Sequence, residues 1–275
     1  MSSEHRKAYL AACTIYRDDA DYLGEWIEFH RLVGVERFVL YDNGSTDDHL
    51  DVLAPYLEEG AAIRHEWPMP FLGEKGRPRA MILAFEHCVG AHRDDARWIA
   101  FLDVDEFLFS PTGAVLPELL PPYERFPGVL VERAEFGSSG HTATPHGLVI
   151  ENYVERRELF PDDRAQYKTI LDPARAARCR NAHTFYYHEG VPVDEEMSPV
   201  TRPRRNPDSR SRFKIHHYAS KSLEERRRKA QKWTDVGQPR LAMSLPSGTV
   251  RDETLVAYAP EVREALARRG QPVAG

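Results

Sequence analysis

Trp98-Ile99-Ala100-Phe101-Leu102-Asp103-Val104-Asp105-Glu106-Phe107-Leu108-Phe109 is an apolar run interrupted by carboxylates. Its continuous aliphatic and aromatic flanks read as strand covered on both faces. Carboxylates inside such a run are costly to bury unless something compensates them. A divalent metal carrying a phosphorylated ligand would do so. In extended backbone Asp103 and Asp105, two residues apart, leave the same face. Two hard oxygen ligands can then approach one Mn²⁺ or Mg²⁺ and leave positions open for a diphosphate. The alternative is a strand end whose acids face solvent, because an isolated D-x-D is common.

Working outward from this stretch, the first hundred residues alternate strand and helix. Ala8 to Tyr16 is an apolar strand. Asp18 to Asp21 cap a helix that repeats Tyr22, Trp26, Phe29 and Val33 and stops at Gly34. Arg37 to Tyr41 is the next strand, and Asp42 to Asp48 is a turn into a helix ending near Leu57. Ala61 to His65, a helix from Arg79 to Val89, and Trp98 to Leu102 complete the series. This order predicts a largely parallel sheet with helices on both faces. Ligands of such sheets sit beyond the carboxyl ends of the strands. Three polar clusters are thereby expected around one crevice: Thr14 to Arg17, Asp42 to Asp47, and Asp103 to Glu106.

The second half is less regular. Gly128 to Arg133, Leu148 to Val154, Tyr167 to Leu171, Thr184 to His188 and Lys214 to Tyr218 read as strands. Phe136 to His141 is a small, glycine-framed loop. Ser222 caps an Arg- and Lys-rich helix reaching Trp233, and Pro260 to Arg269 forms one more. Glu195 to Ser211 reads as a mobile segment. The arginines from Arg202 to Arg212 suit a solvated loop better than a lid over a diphosphate or a site for an acidic headgroup.

With 275 residues the chain suffices for one large α/β domain. A net charge of −6 argues against a general nucleic-acid binder. Cys13, Cys88 and Cys179 are dispersed and odd in number, which disfavours a disulfide framework or a zinc knuckle and fits a reducing, cytoplasmic compartment. The first residues have no apolar signal core behind them, and no run approaches membrane-span length. Peripheral membrane contact stays open.

Three stretches, Tyr22 to His30 (Y-L-G-E-W-I-E-F-H), Val35 to Asp47 (V-E-R-F-V-L-Y-D-N-G-S-T-D) and W-I-A-F-L-D-V-D-E-F, resemble GT-A glycosyltransferases, most of all the family 2-like and family 92-like enzymes. F-G-S-S-G-H at Phe136, Y-K-T-I-L at Tyr167 and I-H-H-Y-A-S-K-S at Ile215 are similar to that group's later motifs, in the same order. The resemblance implies an α/β GT-A fold: Rossmann-like, with a mostly parallel central sheet flanked by helices. We expect it over residues 1–235, with 236–275 a C-terminal extension packed on the same domain. It also implies a nucleotide-sugar donor, UDP-linked, a glycan or glycolipid-type acceptor, and Mn²⁺ or Mg²⁺. By the same resemblance Asp103 and Asp105 meet metal, diphosphate and ribose. Asp42 contacts the base or ribose, Thr14 and Arg17 line the base pocket, and His217 completes the metal shell. His216 is its neighbour, and strand alternation lets only one of the two face the crevice.

Lys168, inside a strand-like run, and Arg79 are candidate fixed cations for the phosphates. An inverting transfer needs a base near the acceptor hydroxyl. Glu135, His141, Glu151 and Asp194 are candidates, with Glu151 at an expected strand end and His141 closing the small-residue loop preferred. A salt bridge to Arg156 or Arg157 and a loop hydrogen bond are the corresponding structural readings. Trp26 reads as core and Glu25 as a capping or pairing acid. Glu224 to Lys229 carries acids ahead of bases, as on an exposed helix face.

Rival readings remain. D-V-D-E-F resembles the D-x-D-x-T/V nucleophile motif of haloacid dehalogenase-like phosphatases, but Phe107 stands where Thr or Val belongs and three βα units precede the motif. A non-catalytic sugar-nucleotide or glycan-binding protein would not need Asp42, Asp103 and Asp105 together. A nucleotidyltransferase would open with a glycine-rich phosphate loop, which Thr14-Ile15-Tyr16-Arg17 is not.

Overall fold

The computed structural model describes residues 8–73, 78–158, 166–201, 212–235, 249–271 and 273. Strands β1 (Ala8–Tyr16), β2 (Arg37–Asp42), β3 (Ala62–Glu66) and β4 (Ala96–Phe101) alternate with helices α1 (Ala20–Leu32), α2 (His49–Glu58) and α3 (Arg79–Ala91). All four strands run parallel, in the order β3-β2-β1-β4. Alternate residues of β1 enter opposite cores. Leu10 and Ala12 pack with Trp26, Phe29 and Phe38 under α1, whereas Ala11, Cys13 and Ile15 pack with Phe85 and Phe101 under α3. Burial on both faces explains why these strands read as continuous apolar runs. The Rossmann-like α/β architecture expected from the sequence is present.

Gly34 ends α1 as foreseen. Its φ of +99° is left-handed, and an added Cβ would lie 2.5 Å from Pro117 Cδ, so only glycine fits this turn.

The same sheet continues through β8 (Tyr167–Leu171), β6 (Gly128–Glu135), β11 (Lys214–His217) and β5 (Glu106–Phe109). Here β8 is antiparallel to both β4 and β6, β11 is parallel to β6, and β5 is antiparallel to β11. Three strands therefore lie between β4 and β5, about 19 Å of sheet at the usual strand spacing. Only the short link from Phe101 to Glu106 joins them, about 17 Å at full stretch. The sheet must curl, and the link crosses its open end. Asp103 to Asp105 accordingly form a turn, closed by Glu106 N–H donating to Asp103 O at 3.0 Å. This corrects the extended geometry expected of the D-x-D. The apolar flanks are strand, but they lie far apart in the sheet order.

The edge strand β5 is covered by α1. Trp26 Nε1 donates to Glu106 O at 2.9 Å, and Leu108 N–H donates to His30 Nε2 at 3.1 Å. Side chains of the helix thus take up groups an edge strand would otherwise leave open.

Leu148 to Val154 is not a strand. Val149–Asn152 is a short helix, α5, followed by β7 (Glu155–Arg157). The cause lies far away in sequence. The Glu25 carboxylate of α1 accepts the Val149 and Ile150 N–H groups at 2.8 and 3.0 Å, satisfying the free donors of a helix start.

Short helix α4 (Leu116–Leu119) and the hairpin of β9 (Ala176–Cys179) with β10 (Phe185–Tyr187) complete the middle of the chain. Helix α6 (Leu223–Asp235) follows β11. From Thr249 on, β12 (Thr249–Arg251) pairs with β7, and α7 (Ala259–Arg268) packs on α1. Arg269 forms ion pairs with Glu28 and Glu59. The arginine segment singled out above lies outside the described residues from 202 to 211. No described helix is long and apolar enough to cross a membrane.

Candidate functional site

The turn at Asp103 to Glu106 draws charged side chains from β8, β6, β11 and α6. Glu106 is fully buried: Arg133 Nη1 of β6 lies 2.7 Å from its Oε1, and Lys168 Nζ of β8 lies 3.1 Å from its Oε2. Glu106 also accepts the Asp103 N–H at 2.9 Å, which fixes the turn. Lys168 Nζ is 2.9 Å from Asp103 Oδ2. Burial alone would raise the Asp103 carboxyl, but Lys168 overrides it and holds the group below the usual carboxylate range. Lys168 is itself wholly buried between the two acids. It neutralises the turn that carries the D-x-D.

Asp105 pairs with groups from α6 and β11. Lys229 Nζ is 2.7 Å from its Oδ2, and His217 Nε2 is 3.4 Å from its Oδ1. Against the cost of burial, Lys229 and then His217 hold this carboxyl well below its ordinary value. His217 Nδ1 lies 3.6 Å from Glu135 Oε1. Burial would depress the imidazole, yet Asp105 and Glu135 raise its pKa above the ordinary value. A ligating histidine steadied by a carboxylate on its other nitrogen is a common metal-site arrangement. Its neighbour His216 points to the opposite face of β11, against the rings of Phe109 and Phe136.

The donor set fits a hard divalent ion. Asp103 Oδ1 is buried without a hydrogen-bond partner, and Asp105 and His217 supply carboxylate and imidazole. Among the described residues no three histidine, cysteine or acidic side chains form a ready-made metal cage. Such a donor set suits an ion that arrives with phosphates, as Mg²⁺-type ions commonly do.

The ends of β1 and β2 form a second region. A cleft of about 510 Å³ is lined by Arg17, Asn43, Gly44 and the segment from Pro68 to Leu72. Arg17 is at its wall. Thr14 is wholly buried and its Oγ1 has no hydrogen-bond partner. Asp42 does not present a free carboxylate to the cleft. Its Oδ1 accepts the Ser45 N–H at 2.8 Å, and its Oδ2 lies 2.7 Å from Arg64 Nη2 and 3.2 Å from His49 Nε2. Burial opposes ionisation there, but the Ser45 N–H and Arg64 keep the pKa below normal. Asn43 Nδ2 donates to Trp67 O and Met69 O, each at 2.8 Å, and so ties down the rim of the cleft.

The preferred base candidates are not gathered at the D-x-D. Glu151 sits in α5, not at a strand end; its Oε1 accepts the Leu148 N–H at 2.7 Å and pairs with Arg263. His141 Nε2 lies 3.1 Å from Asn152 O and ties its loop to α5. Asp194 accepts the Glu196 and Ser198 N–H groups within its own turn. Among the described residues none of the three forms a hydrogen bond or ion pair with Asp103, Asp105 or His217. Arg79 is exposed at the start of α3, its stem against Gly73.

Arg133 and Lys229 were not singled out for the site from sequence, whereas Glu135 was named there only as a candidate base and Glu106 only as part of the acidic cluster. Glu106 was visible as the third acid of the run. Lys229 carried a weaker signal: it falls seven residues after Ser222, on the stripe shared with Glu225.

Residues 7–238 match the model of glycosyltransferase family 92. The chain belongs to glycosyltransferase family 92. A family 92 protein of Oryza sativa subsp. japonica is 31% identical over 191 residues, covering 68% of this chain and 31% of that protein. One from Arabidopsis thaliana is 30% identical over 201 residues, covering 67% and 32%. The Arabidopsis thaliana galactan beta-1,4-galactosyltransferase GALS2 is 28% identical over 121 residues, covering 42% and 22%. This family 92 chain thus spans about a third of the length of the first two relatives. Among solved structures, S. aureus TarS 1-349 overlays with a TM-score of 0.40 at 11% identity, covering 95% of this chain and 71% of that one.

Proposed function

We propose that this family 92 chain is a metal-dependent glycosyltransferase that moves a hexose from a UDP-linked donor to a hydroxyl of a glycan or glycolipid-type acceptor. The observation that carries the reading is the pairing of a buried, partnerless Asp103 Oδ1 with Asp105 and His217 on the turn at the end of β4. That is the end of a parallel sheet at which ligands bind. Galactan galactosyltransferase among the relatives supports hexose transfer. Family 92 membership speaks against the phosphatase reading.

Asp103, Asp105 and His217 would hold Mn²⁺ or Mg²⁺. When bound, the ion neutralises charge developing on the leaving diphosphate. Lys168 and Arg133 keep the turn rigid by pairing Glu106 and Asp103 from below. Glu135 orients His217. The cleft between Arg17 and Pro68 to Leu72 receives the nucleoside, with Asp42 bracing Arg64 and the Ser45 turn.

The test is release of UDP from a UDP-hexose panel with and without Mn²⁺. Wild-type protein should turn over a donor only with the metal. Asp105→Asn should lose about 10²–10³-fold of that rate while its melting temperature stays near wild type. Unchanged turnover in Asp105→Asn would remove the metal assignment.

A further inference from the structure

The cation on Asp105 is unlike every other partner in the site. Lys168 and Arg133 are buried and pinned between acids. Lys229 instead reaches in from α6 with 47% of its side chain exposed, and closes over a carboxylate that is only 12% exposed. Its Nζ also donates to Ala219 O at 3.4 Å. A second lysine stands close by. Lys221 Nζ lies 3.4 Å from the centre of the Tyr22 ring, and its backbone sits at φ +43°, a strained left-handed conformation for a non-glycine residue. Burial lowers the Lys221 pKa, and the field of Asp105 resists that shift.

Lys221 precedes α6 and Lys229 lies within it, and the start of the helix is anchored. Ser222 N–H donates to Glu225 Oε2 at 3.0 Å, and Glu225 N–H donates back to Ser222 Oγ at 3.1 Å. This reciprocal cap is locked further by hydrogen bonds from Tyr22 and Tyr153 to Glu225. Strain at Lys221 is therefore held by the surroundings, while the two ammonium groups end in long, adjustable stems.

A divalent ion and an ammonium cannot share Asp105 without repelling each other. We propose that Lys229 is a displaceable counter-cation. It keeps Asp105 neutralised when the site is empty of metal, and metal binding releases it onto the diphosphate of the incoming nucleotide, which Lys221 also contacts. This rests on the functional reading above and adds to it the groups of this chain that bind the diphosphate.

The two roles of Lys229 pull in opposite directions, which makes the test specific. Mn²⁺ binding is measured by calorimetry without nucleotide, and UDP binding is measured at saturating Mn²⁺. Lys229→Met should bind Mn²⁺ about fivefold more tightly and UDP at least about tenfold more weakly. Lys229→Arg should recover most of the UDP affinity. Lys221→Met should weaken UDP and leave Mn²⁺ affinity unchanged, which shows that the turn still folds. If wild type binds both ligands and Lys229→Met either matches it or loses both together, the exchange is overturned while the functional reading stands. If wild type binds neither Mn²⁺ nor UDP, the functional reading falls and the exchange with it.

Discussion

His216 and His217 are neighbours on β11 and face two different carboxylates. On one face Asp252 has Lys214 Nζ and Arg156 Nε at 2.7 and 2.8 Å, and His216 Nε2 at 3.6 Å. Its other oxygen accepts from Thr254 N–H and Oγ1 at 3.2 and 2.6 Å. Phe109 and Phe136 pack on the His216 ring. On the other face Asp105 has, among the described residues, His217 and one paired lysine that is half in solvent, and it lies two residues from the partnerless oxygen of Asp103. The chemistry of the two clusters is nearly the same, yet their consequences differ. Asp252, with every lone pair engaged and aromatic cover over its histidine, is a clasp that fastens the C-terminal segment to the sheet. Asp105 has a partner that can leave.

The sharpest way to break this contrast is to remove the clasp. Asp252→Asn leaves Lys214 and Arg156 without their shared counter-charge and should cost about 3–5 kcal/mol of stability, with Mn²⁺ affinity unchanged. Denaturant titration and metal calorimetry on the same sample check this. A loss of metal binding without a loss of stability would invert the assignment of the two faces.

Glu25 adds a third buried carboxylate, one hydrogen-bonded by the Val149 and Ile150 N–H groups. Burial pushes its pKa up from 4.5 to about 7 against those donors. The folded state therefore binds this proton more tightly than the unfolded chain does. The associated stability is present in full below about pH 4.5 and is lost as pH rises through about 7, a change of about 3 kcal/mol. Subtracting the stability–pH curve of Glu25→Gln from that of wild type should reveal this slope. A flat difference across the window would contradict it.

His217→Ala should weaken Mn²⁺ about tenfold, whereas His216→Ala should leave the metal alone and lower the melting temperature. The reverse order would mean that β11 presents the wrong residue to the D-x-D. The smallest effect belongs to Glu151→Gln. Glu151 caps α5 and pairs with Arg263, so the expected loss is about 1 kcal/mol with turnover near wild type. A collapse of turnover in a folded Glu151→Gln protein would restore it as the base.

The sequence disclosed what depends on local pattern. Continuous apolar runs alternating with helices gave β1 to β4, and the carboxylates in the apolar run marked the sheet end, although as extended backbone and not as the turn that is present. What stayed hidden depends on distant partners. Val149–Asn152 is helical because Glu25, more than a hundred residues earlier, supplies acceptors for its first N–H groups. Asp42 is engaged because β3 brings Arg64 beside it, and Lys168 is an internal counter-ion because β8 lies next to β4. Lys229 looked like one more cation on an exposed helix face. Only the curl of the sheet, which carries the turn across to β11 and α6, puts it on Asp105.

The most direct test of this account is the melting temperature of the wild-type chain with UDP, with and without Mn²⁺, beside Asp105→Asn. A ligand that binds only the folded state raises the transition by mass action. We expect UDP to raise it only when Mn²⁺ is present, and Asp105→Asn to abolish the shift. An equal shift without Mn²⁺, or none with any nucleotide, would contradict a metal-borne diphosphate at Asp103 and Asp105.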